Sequence, residues 1–292
     1  MVEGEVAVYS PATLTEALRL LADGGPDVRP LAGATDAMVK FKDGLWRPRA
    51  WVNLMRLRPE LAYIRQEDGW VEIGALTSFA EILAWRHVAD AAPLLAQAAR
   101  TIGGPQIRNL GTIGGNVGTA SPAGDSLPAL YALEAIVKLV SHGGGERELP
   151  IDQFILGPGK TALAPGELIG AVRFHAEDPF MKVSFEKLGL RAAHAISVGN
   201  AAVRVAPGFA RVTLGALGPT ILRVPAAEAV LSSGPITAAT VAEAAAACRA
   251  AVKPITDVRG TADYRRAMAG NLVVRGLVRL LGPEVMPRAS AS

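Results

Sequence analysis

Two glycine-containing segments offer this chain one clear piece of chemistry, the close approach of backbone amides to a phosphate. They are residues 31–36 (LAGATD) and 111–116 (GTIGGN). Where a glycine has no Cβ atom, the oxygen atoms of a ligand can reach backbone N–H groups directly. Each segment stands beside a predicted helix start, which is typical of phosphate and pyrophosphate sites. One such loop is as easily a surface turn, but two of the same kind favour a single extended diphosphate ligand.

An acidic residue follows the second segment closely. Asp125 precedes the apolar run 127–133, which predicts a helix with Pro128 in its first turn. Aspartate is a favoured helix N-cap, and a carboxylate at this place can also bind ligand hydroxyls. Both roles stay open for Asp125, and they are compatible with each other.

Other residues that could suggest chemistry are weaker signals. Residues 157–161 (GPGKT) resemble a P-loop, but Phe154 stands where its first glycine should be, and no helix signal follows. The chain has four histidines, which are dispersed and lack metal-ligand spacing: His87, His142, His175 and His194. No nucleophile motif occurs, so we predict neither a catalytic side chain nor a metal site.

Composition limits the class of protein. The 292 residues are 50% hydrophobic with a net charge of +3, which suggests two domains and no nucleic-acid-binding stripe. Cys248 is the only cysteine, so the chain can hold no all-cysteine iron–sulfur or zinc site. We see neither a secretory signal nor a run of 18 apolar residues. These features predict a cytoplasmic protein that does not insert into membranes.

The elements that must position the two segments change in character along the chain. Strand and helix signals alternate up to about residue 175, and they include a capping box at Ser78–Glu81. Beyond it, three longer strands are predicted at 182–188, 194–205 and 211–217, followed by helices at 241–252 and 261–281. The pattern predicts an N-terminal α/β region of two small lobes, each with one glycine loop, and a C-terminal α+β domain.

Five ordered blocks carry a resemblance to a known family. The chain resembles the FAD-binding (medium) subunits of the molybdenum hydroxylases, of the xanthine dehydrogenase and carbon monoxide dehydrogenase type. The resemblance covers essentially the whole chain, and its blocks are LAGATDAMVKFKDG, PQIRNLGTIGGNVGTASPAGDSLPAL, TALAPGELIGAVRF, FEKLGLRAAHAISVGNAAV and DVRGTADYRRAMAGNLVVRGL.

The resemblance implies an α+β architecture. It consists of the two-lobed FAD-binding fold of vanillyl-alcohol oxidase-like flavoproteins at 1–177, with lobes of about 1–57 and 58–177. A flavoprotein C-terminal domain, a three-stranded antiparallel sheet with helices, is expected at 178–292. The implied cofactor is FAD, and the implied partners are an iron–sulfur small subunit and a molybdopterin-containing large subunit. FAD would accept electrons from the clusters and pass them to NAD, a quinone or oxygen.

The resemblance also implies the cofactor-binding residues. The backbones of 32–36 and 112–116 would hold the pyrophosphate, Asp125 would bind ribose hydroxyls, and Ile102 and Ile169 would pack beside the cofactor. Lys187, or the loop 194–197, would approach the isoalloxazine ring. Ala34 stands where many members have a glycine. The full set is Leu31, Ala32, Gly33, Ala34, Thr35, Asp36, Ile102, Gly111, Thr112, Ile113, Gly114, Gly115, Asn116, Asp125, Ile169 and Lys187.

Two other functions compete with this interpretation. A stand-alone flavin oxidase would need a catalytic base and a substrate cap, and the sequence offers neither. A nucleotide-binding or scaffold protein without redox chemistry would leave the two glycine segments without a redox use. A visible spectrum would separate the scaffold from the flavoproteins, and adding substrates to the lone chain would separate the oxidase from the electron-transfer subunit.

Overall fold

Residues 6–287 are described by a computed structural model. Residues 1–5 of the predicted domain 1–177 and residues 288–292 of the predicted domain 178–292 lie outside the described part. The strands are β1 (Ala7–Tyr9), β2 (Val28–Leu31), β3 (Ala50–Asn53), β4 (Ile64–Glu67), β5 (Trp70–Gly74), β6 (Ile136–Ser141), β7 (Glu146–Pro150), β8 (Ile155–Gly157), β9 (Lys160–Thr161), β10 (Glu167–His175), β11 (Lys182–Gly189), β12 (Ser197–Ala206), β13 (Phe209–Gly215) and β14 (Leu222–Arg223).

The helices alternate with these strands in the first part of the chain and follow them in the last. They are α1 (Leu14–Gly24), α2 (Ala37–Lys42), α3 (Arg58–Leu61), α4 (Phe79–Ala84), α5 (Val88–Ala91), α6 (Pro93–Arg100), α7 (Pro105–Leu110), α8 (Ile113–Thr119), α9 (Ser126–Ala132), α10 (Ile151–Phe154), α11 (Pro225–Ser232), α12 (Ala238–Ala251) and α13 (Ala262–Leu281). The predicted mixture of helix and strand is confirmed. Within residues 6–287, no helix is long and apolar enough to cross a membrane.

The chain forms two structural units, each built from separate stretches of sequence. Unit 1 runs from the N-terminal part through Trp85 and adds Pro105–Thr119 and Ala135–His175. Unit 2 consists of Arg86–Gly104, Ala120–Glu134 and the chain from Ala176 onward. Two stretches that precede residue 177 therefore pack with the C-terminal part. The domain boundary at 177 stays a prediction, because the units interleave along the sequence.

Unit 1 contains a parallel sheet and a larger antiparallel one. The parallel sheet has the order β1-β3-β2, and the antiparallel sheet has the order β4-β5-β10-β6-β7. Its core under α1 includes Leu18, Leu21, Val52 and Leu168. The capping box predicted at Ser78 is confirmed, since its side chain and that of Glu81 bond each other's backbone amides at the start of α4.

Unit 2 is an antiparallel sheet covered by helices. Its strand order is β11-β12-β13-β14. The first three are the predicted long strands, and β14 is an additional edge strand of two residues, too short for a sequence signal. β12 begins at Ser197 and not at the predicted residue 194, because His194 has a φ of 54°, outside the strand region. Cys248 is a buried core residue of α12, and burial raises the pKa of its thiol to about 12.

Candidate functional site

The first glycine segment is a short turn between β2 and α2 in unit 1. The hydrogen bonds found within residues 6–287 leave the backbone N–H groups of Gly33, Ala34 and Thr35 without a partner. Ala34 has a φ of 62°, a left-handed conformation that costs a residue with a Cβ about 1 kcal/mol. This explains structurally why a glycine suits position 34. A turn with several unpaired amides is a concave donor surface of the kind that binds phosphate oxygens.

The second glycine segment is largely helical, contrary to the predicted loop. Residues 113–119 form α8, so Gly114 and Gly115 of the segment, and Gly118 just beyond it, lie within a helix. The reason is packing: a Cβ on Gly114 would lie 2.6 Å from the Cβ of Ala75, and one on Gly118 would lie 3.5 Å from Cδ1 of Ile169. Close helix packing therefore outweighs the low helix propensity of glycine.

The amides in the first turn of α8 are already used. Ile113 donates to the carbonyl of Thr77, Gly114 to that of Ala75, and Gly115 to Oγ1 of Thr112. The expectation that residues 112–116 present unpaired N–H groups is therefore wrong for 113–116, since Asn116 also donates to the Thr112 carbonyl. This segment therefore offers a ligand open space at Gly115 and does not offer it free N–H donors at 113–116.

The structure brings the two segments together. A Cβ on Gly33 would lie 1.7 Å from the carbonyl oxygen of Leu110, so only glycine allows this backbone contact. Farther along, Oγ1 of Thr119 donates to Oδ2 of Asp36 over 3.3 Å. The first turn therefore passes close to the backbone at the end of α7 and is hydrogen-bonded to the end of α8.

The middle of this contact is open. Gly115 and Thr119 are four residues apart and share one side of α8, the side on which Thr119 contacts Asp36. Just before the helix, a Cβ on Gly111 would lie 3.6 Å from Oγ1 of Thr35. A Cβ on the exposed Gly115 would meet only Oγ1 of Thr112 within 4 Å. Gly115 therefore leaves open space on the solvent side of α8, next to the turn whose amides are unpaired. We call these two neighbouring segments, residues 32–36 and 111–119, the amide cradle.

The remaining predicted site residues of unit 1 support the cradle. Leu31 ends β2 and leads into the turn. Ile169 is buried in β10 and packs behind α8 at Gly118. Thr119 was missed in the sequence, because its only signal is a small polar side chain at the end of a glycine-rich stretch.

Three predicted residues belong to unit 2 and are brought together there. The carboxylate of Asp125 is buried and makes no cap bond, which removes the plain N-cap role. Its Oδ2 accepts from Nζ of Lys187 over 2.5 Å, and its Oδ1 accepts from Ser197 Oγ at 2.6 Å and Asn200 Nδ2 at 3.0 Å. Nζ of Lys187 also donates to the carbonyl oxygen of Thr101, the residue before Ile102, over 2.9 Å.

The sequence marked Ser197 only as the end of the loop 194–197 and missed Asn200, because nothing in their spacing relates them to an aspartate more than seventy residues away. The loop before them is held by contacts of its own. The ring of His194 covers Gly104, where a Cβ would lie 2.0 Å from Cε1, and Arg191 Nη2 donates to the His194 carbonyl over 2.7 Å. A side chain at position 104 would therefore have to displace the exposed ring of His194.

Comparison with known proteins decides the family. The family described as FAD binding domain in molybdopterin dehydrogenase matches residues 4–175, more than half of the chain. The chain belongs to this FAD-binding family of molybdenum hydroxylase subunits. The family described as CO dehydrogenase flavoprotein C-terminal domain matches residues 184–280 of the same flavoprotein. The resemblance drawn from the sequence is thereby confirmed, and the flavoprotein is an oxidoreductase whose cofactor is FAD.

Individual relatives agree with this assignment. The flavoprotein is 34% identical to the carbon monoxide dehydrogenase medium chain of Hydrogenophaga pseudoflava, over 95% of this chain and 97% of the relative. It is 31% identical to the xanthine dehydrogenase FAD-binding subunit of Escherichia coli O157:H7, over 88% and 89%. A solved structure of the Hydrogenophaga pseudoflava carbon monoxide dehydrogenase matches 96% of this chain and 98% of its own with a TM-score of 0.90.

The amide cradle fits the diphosphate of FAD. Three unpaired amides in a segment that contacts α8, together with the open space at Gly115, offer donors and room for phosphate oxygens. The fit rests on the backbone of residues 33–35 and on the absence of a Cβ at Gly115.

The open side of the cradle gives a direct test. A Gly115→Val variant should keep its fold, because the new Cβ would meet a single side-chain atom, Oγ1 of Thr112 at 2.9 Å, and only that hydroxyl must shift. Its branched side chain would fill the open space beside the turn, and losing two charge-assisted amide bonds should weaken FAD binding by roughly a hundredfold or more. Calorimetric titration of the FAD-free chain with FAD measures the effect. An unchanged affinity in a folded variant would place the diphosphate elsewhere.

Proposed function

We propose that this flavoprotein is the electron-transfer subunit of a multi-subunit molybdenum hydroxylase. It takes electrons from iron–sulfur clusters of a small partner subunit and passes them to NAD or another acceptor. A large molybdopterin-containing subunit oxidises the substrate. The observation that carries the proposal is the amide cradle in a chain that is similar, over nearly its whole length, to a carbon monoxide dehydrogenase medium chain.

Bound FAD would supply a centre that exchanges both single electrons and electron pairs, while the protein supplies binding and orientation. Residues 32–36 would hold the diphosphate through the amides of 33–35, with residues 111–116 forming the opposite wall. Ile169 would support this wall from behind α8, where it contacts the position of Gly118.

Asp125, Ile102 and Lys187 are the other residues proposed to bind the cofactor. Asp125 accepts three hydrogen bonds, and a carboxylate has about four acceptor positions, which leaves one for a ribose hydroxyl. Ile102 is half-buried and adjoins Thr101, and it would offer an apolar contact to the flavin. Lys187, or the loop 194–197, would lie toward the isoalloxazine ring.

The partners follow from what the chain lacks in its sequence. A [2Fe–2S] cluster is usually held by four cysteine thiolates, and this sequence has one cysteine. The clusters and the molybdenum centre therefore belong to other chains in this proposal. In this proposal the complex is cytoplasmic and is assembled from separate subunits.

The identity of the electron acceptor can be tested on the lone flavoprotein, because the reduced form of the true acceptor should reduce the flavin. If NAD is the acceptor, NADH should bleach the flavin absorbance band under anaerobic conditions. Dithionite, a strong artificial donor, is the control that shows the flavin to be reducible. A flavin that dithionite reduces and NADH does not would exclude NAD and leave a quinone or oxygen as the acceptor.

A further inference from the structure

Lys187 occupies an unusual position for a lysine in unit 2. Its side chain is only 11% exposed, although lysine is rarely buried unless it is paired. Its ammonium group lies within 2.9 Å of the Thr101 carbonyl and 2.5 Å of the Asp125 carboxylate. One side chain of β11 thus joins the end of α6 to the start of α9.

Both contacts involve stretches that the chain inserts into unit 2 from its N-terminal part. Thr101 belongs to Arg86–Gly104, and Asp125 belongs to Ala120–Glu134. Residues 101–104 and 120–125 are the ends of these inserted stretches that lie outside α6 and α9. The amides of Thr101 and Ile102 donate back to α6, and the carbonyl of Pro122 accepts from the amide of Ala216, just after β13. These ends thus have few bonds to the sheet, so a further anchor from β11 matters most there.

The rest of each inserted stretch has different anchors. In α6, Gln97 donates to the carbonyl of Val183 and accepts from the amide of Phe185, both in β11. In α9, the carbonyl of Pro128 accepts from Thr213, and that of Ala132 accepts from Arg204. Lys187 is therefore not needed to attach the two helices, and its effect should be confined to the ends that it contacts.

We propose that Lys187 is a positioning residue that locks the ends of the two inserted stretches, at Thr101–Ile102 and at Asp125, onto the C-terminal sheet. Ser197 and Asn200 complete the lock by holding the other carboxylate oxygen of Asp125. Two of the three ammonium protons of Lys187 are used within the protein. Its action on the cofactor therefore passes through Ile102 and Asp125. This step rests on the proposed function, which identifies the ligand as FAD.

Hydrogen exchange on the FAD-free chain tests the lock without any reference to the cofactor. In a Lys187→Met variant, the amides of Thr101, Ile102, Gly124 and Leu127 should exchange at least about tenfold faster than in the wild type, because a charge-assisted anchor is lost. Amides beside Gln97 and from Ala129 to Leu133 should keep their rates. Lys182→Met is the matched control, since Lys182 is an exposed residue of the same strand.

A Lys187→Arg variant separates the charge from the volume of the side chain. It retains a cation that can reach Asp125, so protection of these amides should return toward the wild-type level. Unchanged rates in Lys187→Met would overturn the lock. Equal loosening in both variants would also overturn it, since any change of volume would then disturb the pocket.

Titration with FAD supplies the second measurement. Lys187→Met should weaken FAD binding and alter the visible circular dichroism of the bound flavin, and Lys187→Arg should restore both. Weaker binding with unchanged exchange in the FAD-free chain would make Lys187 a direct flavin ligand and refute the positioning role. If the wild-type chain bound no FAD, the proposed function would fail, while the exchange rates would still decide whether the lock exists.

Discussion

A Gly33→Ala variant is expected to lose FAD binding, with the affinity falling by at least about a hundredfold. The new Cβ would lie 1.7 Å from the carbonyl oxygen of Leu110 and 2.5 Å from its carbonyl carbon. Both atoms belong to the backbone and cannot rotate away, so the turn and the second segment must separate. Separation withdraws the amides of residues 33–35 from the diphosphate, and two lost charge-assisted bonds account for that loss of affinity.

The same clash should lower the stability of unit 1. Overpacking of this kind typically costs about 1–3 kcal/mol, so the free energy of unfolding should fall measurably in chemical denaturation. Gly157→Ala is the matched control in unit 1, because a Cβ at Gly157 meets nothing within 4 Å. FAD affinity is compared by titration at a temperature where circular dichroism shows both variants folded. A folded Gly33→Ala chain with normal affinity would show that the two segments do not form the cradle.

Local signals in the sequence predicted much of the fold. The capping box at Ser78–Glu81 is satisfied within a few residues of chain, so its spacing is enough. The three long strands of unit 2 likewise carry their own periodic pattern. What the sequence could not show is that α6 and α9 pack with the C-terminal sheet, because an apolar helix indicates burial but not its partner.

The site was predicted in part for the same reason. The sequence and the resemblance marked residues 31–36 and 111–116, and the structure brings them together where Gly33 approaches Leu110 and Gly111. The glycines suggested a loop at 111–116, whereas packing against Ala75 and Ile169 makes 113–119 helical. The bonds of Asp125 join residues far apart in sequence, and such pairs leave no local pattern.

The prediction with the largest contrast concerns the chain purified alone. With FAD bound, it should show no flavin reduction by any xanthine-like, aldehyde-like or carbon monoxide-like substrate. Hydroxylation by water must remove two electrons from the substrate and supply an oxygen atom. The sequence offers one cysteine and no nucleophile motif for such a site, and the cradle is made of backbone amides that bind without reacting.

In the assembled complex, the same substrate should bleach the flavin, because electrons would arrive through the partner's iron–sulfur clusters. The experiment is anaerobic stopped-flow spectroscopy at the flavin band, comparing the lone chain with the complex obtained by expressing the three chains together. Reduction by dithionite is the control, and it should be fast both for the lone chain and for the complex. Rapid bleaching of the lone chain by an organic substrate would instead favour the stand-alone oxidase, since an electron-transfer subunit has no means of oxidising that substrate itself.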